Sequence, residues 1–308
     1  MRAIEGELER RGWCGFEPRE APRVELERVL AVHPRSHVDA VKELSARGGA
    51  FDLDTPTSPG SWEAALRAAG GACALVDALL SRAAPCGISA LRPPGHHAEP
   101  ARAMGFCLFN NIAVAARQAL DELGAERVLI VDWDVHHGNG TNAIFHGARE
   151  VLFASIHQWP FYPGTGALAD VGSGEGEGFS INLPVPAGSD EGTWLSLVEH
   201  LVVPAGRQFR PDLVLVSAGY DAHRDDPVGG CRLETSSYAE LARHVRGLAD
   251  ELGAPVGGVL EGGYDLQALA ASVAATMEAF ADGDRPRSVP RDPLTEAVAE
   301  QVGRYWQL

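Results

Sequence analysis

A chain of 308 residues, 45% of them hydrophobic, is long enough to bury one large α/β core. Its net charge of -16 argues against a nucleic-acid-binding surface and favours approach of cationic ligands. The five cysteines (Cys14, Cys73, Cys86, Cys107, Cys231) are scattered and form no CxxC pair, which argues against a disulfide framework and a thiolate metal site and points to a reducing cytoplasm.

The opening MRAIEGELERRGW reads as an amphipathic helix rather than an export signal, and no uncharged apolar run is long enough to cross a bilayer. An Ala/Leu-rich helix is expected over 62–80, with Ser61 as its N-cap, and a second over 111–123, ending at Gly124. Apolar runs at 87–91, 128–131, 151–156, 213–217 and 256–260 predict buried strands, with further helices over 193–207 and 237–252 between them. The glycine-dense stretch 172–178 lacks the Lys-Ser/Thr of a phosphate cradle and reads as a mobile loop. A polar connection over 282–293 precedes a last helix at 294–305. Alternating strands and helices imply three layers, a mainly parallel sheet with helices on both faces. No repeat or composition break divides the chain, so residues 1–308 are expected to form a single catalytic domain.

Ligands of open α/β sheets bind beyond the carboxyl ends of the strands. Those ends carry Arg92-Pro93-Pro94-Gly95-His96-His97, Asp132-Trp133-Asp134-Val135-His136-His137, Ala218-Gly219-Tyr220-Asp221 and Glu261-Gly262-Gly263-Tyr264. Burying so many polar groups is costly without a partner, and a divalent cation is the economical one. Asp134 and His136, two apart in extended chain, point the same way, and Asp221 completes a three-ligand set that leaves a position open. Two carboxylates and one imidazole suit Zn²⁺, with Fe²⁺, Co²⁺ or Mn²⁺ as substitutes. Such an ion polarises an amide carbonyl and lowers the pKa of a bound water from about 15.7 towards about 7. His96 and His97 then supply a general base and acid, Asp132 orients one imidazole, and Tyr264 donates to the developing oxyanion. A lone Asp-x-Asp or a strand-end tyrosine is more often simple packing; four strand ends converging on one rim are not.

The segments RPPGHHAE, GFCLFNN, VDWDVHHGNGT, SIHQWPFYPGTG, NLPVPAG, VSAGYDAHRDDP and LEGGY, in order between about 26 and 280, resemble the zinc-dependent histone deacetylase superfamily, in its class II and bacterial amidohydrolase-like branch. The resemblance implies an arginase/deacetylase-like fold and one catalytic zinc on Asp134, His136 and Asp221. It makes His96 and His97 tandem catalytic histidines, with His97 the main base and acid, Asp132 bonded to His96 and Asn139 beside His97. Tyr264 is the implied transition-state tyrosine. Phe106 and Tyr162 are implied walls of a narrow tunnel, with the Gly105 carbonyl at its side and Asp54 at the rim anchoring substrate backbone. A structural K⁺ is implied at the carbonyls of Asp132, Asp134 and His136 and the Ser155 hydroxyl.

One departure is the first strand and its following loop, present in relatives and expected to be absent here, which would leave an edge strand unpaired and invite oligomerisation. The expected substrates are acylated lysines in proteins or peptides, with acetylated polyamines as the rival and no nucleic-acid or membrane partner. Val228, following Asp225-Asp226-Pro227, is the implied gate position, and its apolar side chain disfavours a second cation. A two-metal ureohydrolase is disfavoured by the absence of a further Asp-rich ligand set, and a non-hydrolytic acyl-chain-binding module by retention of both histidines and Tyr264.

Overall fold

The computed structural model describes residues 1–308. Two two-residue strands, β1 (Gly49–Ala50) and β2 (Pro56–Thr57), pair antiparallel in the loop region before the main sheet. That sheet comprises β3 (Cys86–Ser89), β4 (Val128–Asp132), β5 (Val151–Gln158), β6 (Ser180–Val185), β7 (Leu213–Ala218) and β8 (Val256–Leu260). All six run parallel in the order β3-β8-β7-β4-β5-β6, with β3 and β6 at the edges.

The central strands are apolar throughout because both faces are covered. Leu129, Val131, Val214 and Val216 face one core with the helices Arg2–Arg10, Thr235–Leu252 and Leu266–Asp282. Val128, Ile130, Leu213 and Leu215 face the other, with Ser61–Leu80 and Asn111–Asp121. The three-layer α/β expectation is thus met. Asn110 caps the second of these helices through the Ala113 N–H, and Asp265 caps Leu266–Asp282 through the N–H groups of Gln267 and Ala268.

Several elements differ from expectation. Ser61 is the first helical residue rather than the cap; its hydroxyl accepts instead from the Ser58 N–H at 2.9 Å. Strand β6 and the helices Arg35–Arg47 and Leu266–Asp282 were not foreseen. The last is so rich in alanine, LQALAASVAATMEAFAD, that its faces contrast weakly in sequence, though one packs in the core. The span 193–207 is helical but passes through a π turn at Val198–Val202. The 172–178 segment is a pinned turn rather than a free loop: the Ser173 N–H donates to the His146 carbonyl at 2.8 Å and the Gly178 N–H to that of Val171 at 2.7 Å.

Register then positions the site. Asp132 is the Cα partner of Ser155 on one side and of Ser217 on the other, and Ala218 pairs with Leu260, so four strands deliver their following loops to one rim.

Candidate active site

Asp134, His136 and Asp221 are buried, and one donor atom from each lies within 4.8 Å of the others. His136 Nδ1 is 3.0 Å from Asp134 Oδ1 and 3.2 Å from Asp221 Oδ2. Backbone amides fix the carboxylates: Val135 N–H donates to Asp221 Oδ1 at 2.9 Å and Gly262 N–H to Asp134 Oδ2 at 2.8 Å. Asp221 Oδ2 is buried without a properly angled hydrogen bond, its nearness to His136 being one of distance alone. Burial, reinforced by the charge of Asp134, pushes the Asp221 carboxyl up from its ordinary range. An orphaned oxygen beside a second buried carboxylate and an imidazole is a donor set that fits a divalent cation. Gly219 and Gly262 line this pocket so closely that a β-carbon on either would strike Asp134.

The tandem histidines lie beside this group, and their surroundings shift them in opposite directions. His96 Nδ1 is 3.0 Å from Asp132 Oδ2, and its Nε2 is 3.8 Å from Asp134 Oδ1. Burial opposes its charge, but Asp134 and Asp132 outweigh burial and hold its pKa well above the ordinary value. His97, by contrast, is pushed well below by burial and by the neighbouring His96 and His136.

The tautomer of His97 follows from its partners. Asn139 Nδ2 donates to Glu99 Oε1 at 2.8 Å, which turns Asn139 Oδ1 towards His97 Nδ1, also at 2.8 Å. Since Oδ1 only accepts, Nδ1 carries the proton and Nε2 keeps a free lone pair. Glu99 is thus the third member of a His97-Asn139-Glu99 chain.

Glu261, named above only as a strand-end acid, has a supporting role. Fully buried, it accepts from the Gly95 N–H at 2.6 Å, the His96 N–H at 3.0 Å and the Ser217 hydroxyl at 3.2 Å, so the end of β8 holds the turn bearing both histidines. Burial pushes its carboxyl up to about 7. The only sequence signal was its adjacency to Gly262-Gly263-Tyr264.

A family model described as the histone deacetylase domain matches residues 2–280. The chain belongs to the histone deacetylase family. It is 40% identical over 286 residues to the histone deacetylase-like amidohydrolase of Pseudomonas aeruginosa, covering 92% of this chain and 74% of that protein. It is 41% identical to histone deacetylase 10, chloroplastic, of Oryza sativa and 42% to histone deacetylase 14, chloroplastic, of Arabidopsis thaliana, covering 83% and 84% of this chain. The matches span only 60% and 64% of those two plant proteins. The crystal structure of the HDA15 HD domain superposes with a TM-score of 0.92 at 38% identity, over 99% of this chain and 87% of that one. The Pseudomonas relative is named an amidohydrolase, and the family is zinc-dependent. No helix is long and apolar enough to cross a membrane.

Three aromatic side chains, Tyr162, Phe106 and Tyr264, pack close to the group formed by Asp134, His136 and Asp221 and its histidines. The Tyr162 ring meets the His97 ring edge-on at 5.1 Å between centroids, and the Phe106 ring is 5.9 Å from that of Tyr264. Burial, with Asp52 and other neighbours, pushes the Tyr162 phenol up to about 12. Burial, with Asp221 and Asp134, pushes the Tyr264 phenol higher still, so it stays a hydrogen-bond donor at neutral pH. Phe106 holds a left-handed φ of +67°, and its N–H donates to the Thr55 hydroxyl at 3.3 Å. Such backbone costs about 1–3 kcal/mol and persists where its surroundings impose it, as at ligand-gripping sites. A β-carbon on Gly105 would sit 2.9 Å from His97 Cγ, so only glycine fits there.

Leu53 is 101% exposed, Phe106 41% and Val228 40%. Asp54 is exposed beside Leu53, its N–H turned onto Asp52 Oδ1 at 3.1 Å. Ser155 is buried next to Asp132, with its hydroxyl 2.9 Å from His157 Nδ1.

Proposed function

We propose that the chain is a zinc-dependent deacylase that hydrolyses the side-chain amide of acylated lysine. The observation that carries this reading is the orphaned Asp221 oxygen, grouped with Asp134 and His136 and flanked by a histidine whose Nε2 lone pair is free. Zinc, when bound by those three side chains, polarises the amide carbonyl and acidifies a neighbouring water.

The chain's own residues perform the proton transfers. His97, with its Nδ1–H committed to Asn139, takes the water proton at Nε2 and returns it to the departing amine. His96, anchored by Asp132, packs against His97 and holds its place in the pocket. Tyr264 donates its hydroxyl to that oxyanion. Phe106 and Tyr162 grip the aliphatic chain beside the Gly105 carbonyl, and Asp54 binds the substrate backbone at the rim. A structural K⁺ is assigned to the carbonyls of Asp132, Asp134 and His136 with the Ser155 hydroxyl, a reading supported by the pairing of Asp132 with Ser155.

For substrate, an apolar Val228 at the gate packs on a lysine stem and offers no partner to a second cation. The rival is an acetylpolyamine, favoured by Asp52 and Asp54 beside the mouth, whose charges act on Tyr162. Zinc-loaded protein turned over on matched acetyl-lysine peptides, longer acyl-lysines, acetylputrescine and acetylspermidine separates them. The peptides should give the higher kcat/KM, and Val228→Glu should shift the ratio towards the polyamines. Clear preference of the parent protein for a polyamine would place specificity in the acidic rim instead.

A further inference from the structure

The loop after β7 carries Asp221 to the pocket and then turns outward through Asp225-Asp226-Pro227 to Val228. Asp226 is a buried carboxylate in this loop that belongs neither to the cation group nor to the proton-transfer chain. Its Oδ1 accepts the Val228 N–H at 2.9 Å. Its Oδ2 accepts the Tyr264 N–H at 2.6 Å and the Asp265 N–H at 3.3 Å. Its own N–H donates to the His223 carbonyl at 3.0 Å, which fixes the loop that presents it.

Tyr264 needs such a hold. Residues 261–265 form neither strand nor helix, and after Gly263, at φ +128°, the Tyr264 N–H meets a side-chain carboxylate, Asp226, rather than a backbone carbonyl. The Tyr264 ring lies against Phe106, at 5.9 Å, and the Arg92 guanidinium, at 5.7 Å, both partly exposed groups that do not fix the backbone. Charge-assisted hydrogen bonds from backbone N–H to carboxylate are about twice as strong as neutral ones. Asp226 therefore ties the Tyr264 backbone to the loop bearing both Asp221 and Val228.

We propose that Asp226 is a positioning residue for the Tyr264 hydroxyl, an inference that rests on the reading of Tyr264 as oxyanion donor. Because Asp226 acts through Tyr264, removing it costs no more than removing the hydroxyl, about 10² to 10³ in rate. Once the hydroxyl is gone, it costs nothing further in kcat.

The test is a double-mutant cycle on zinc-loaded protein with an acetyl-lysine substrate, using Asp226→Ala, Tyr264→Phe and the pair. Zinc per chain and the thermal midpoint are followed alongside. Asp226→Ala is expected to keep its zinc and lower kcat by about tenfold or more, whereas in the Tyr264→Phe background it changes kcat by less than about twofold. Asp226→Asn, which keeps one acceptor oxygen, is expected to fall between parent and Asp226→Ala; if the alanine variant does not fold, it takes that variant's place in the cycle. Equal losses in both backgrounds, loss of zinc on substitution, or an unchanged kcat for Asp226→Ala would each overturn the proposal. An unchanged kcat for Tyr264→Phe would instead overturn the reading of Tyr264 itself, so the two failures are distinct.

Discussion

Gly262→Ala adds one methyl group to the floor of the proposed zinc site. Gly262 does not occupy the left-handed region, so alanine costs no backbone strain there, unlike at Gly263. The new β-carbon would lie 2.6 Å from Asp134 Oδ2 and 2.9 Å from Asp221 Cγ, with Asp221 Oδ2 nearer still. Non-bonded heavy atoms prefer about 3.5 Å or more, so the Asp134 carboxylate must retreat by roughly 0.9 Å and the Asp221 carboxylate by more than about 1 Å. A metal site tolerates about 0.2 Å, and loss of a group that merely orients a ligand already costs about 10- to 100-fold in metal affinity. Zinc affinity should therefore fall by about 100-fold or more, measured by competition with a chelator, and the bound metal after dialysis should drop below one per chain. Turnover should fall with it, while overpacking lowers the stability of the metal-free protein by about 1–3 kcal/mol. Gly6→Ala, on the first helix with nothing within 4 Å of its β-carbon, is the control and should be neutral or slightly stabilising. A Gly262→Ala protein that keeps parental zinc affinity and turnover would refute the placement of the ion between Asp134 and Asp221.

Asp221→Ala should lose both zinc and activity, since it removes the orphaned oxygen; retention of full zinc by elemental analysis would take Asp221 out of the site. Tyr264→Phe should keep zinc and fold while kcat drops by about 10² to 10³, equivalent to about 2.7–4 kcal/mol, and an undiminished kcat would make Tyr264 a packing residue. Stability should also depend on His33, whose pKa burial, reinforced by His37, lowers to about 4 from 6.5. A folded-state pKa below the unfolded one stabilises the fold above pH 6.5 and is lost as pH falls from there towards about 4. At pH 5 the loss from this residue is about 2 kcal/mol, so urea midpoints of chelator-treated protein at pH 7.5 and pH 5 should differ more for the parent than for His33→Gln. Equal differences would remove His33 as a source of acid lability.

How much of this was legible in the sequence depended on whether the signal was local. The strands at 128–131, 151–156, 213–217 and 256–260 stood out because parallel strands buried on both faces are continuous apolar runs, and their boundaries came within two residues. The candidate metal group was legible for a related reason, since strand ends in such a sheet share one rim, although Asp134–His136 lies in a bend, its His136 N–H folded onto Asp134 Oδ1, rather than in the extended chain expected. Leu266–Asp282 was not, because an alanine-rich helix carries little contrast between its faces. Nor was the character of 172–178, whose fixed shape comes from hydrogen bonds to Val171 and His146, the latter far along the chain.

The residues that act through others were decided only by tertiary structure. Glu99, Glu261 and Asp226 are ordinary acids in the sequence, two of them in polar runs where a solvated carboxylate is the common case. Their roles come from contacts across 40, 166 and 38 positions, to Asn139, Gly95 and Tyr264. The tautomer of His97 likewise follows from an amide turned by Glu99, and the open bonding position of Asp221 from what the fold leaves unpaired. Composition and periodicity determined the layers and which strand ends carry chemistry, because burial and pleat are properties of neighbouring residues. Which donor faces which acceptor was settled by packing, because hydrogen bonds depend on the distances and angles that only the assembled chain supplies.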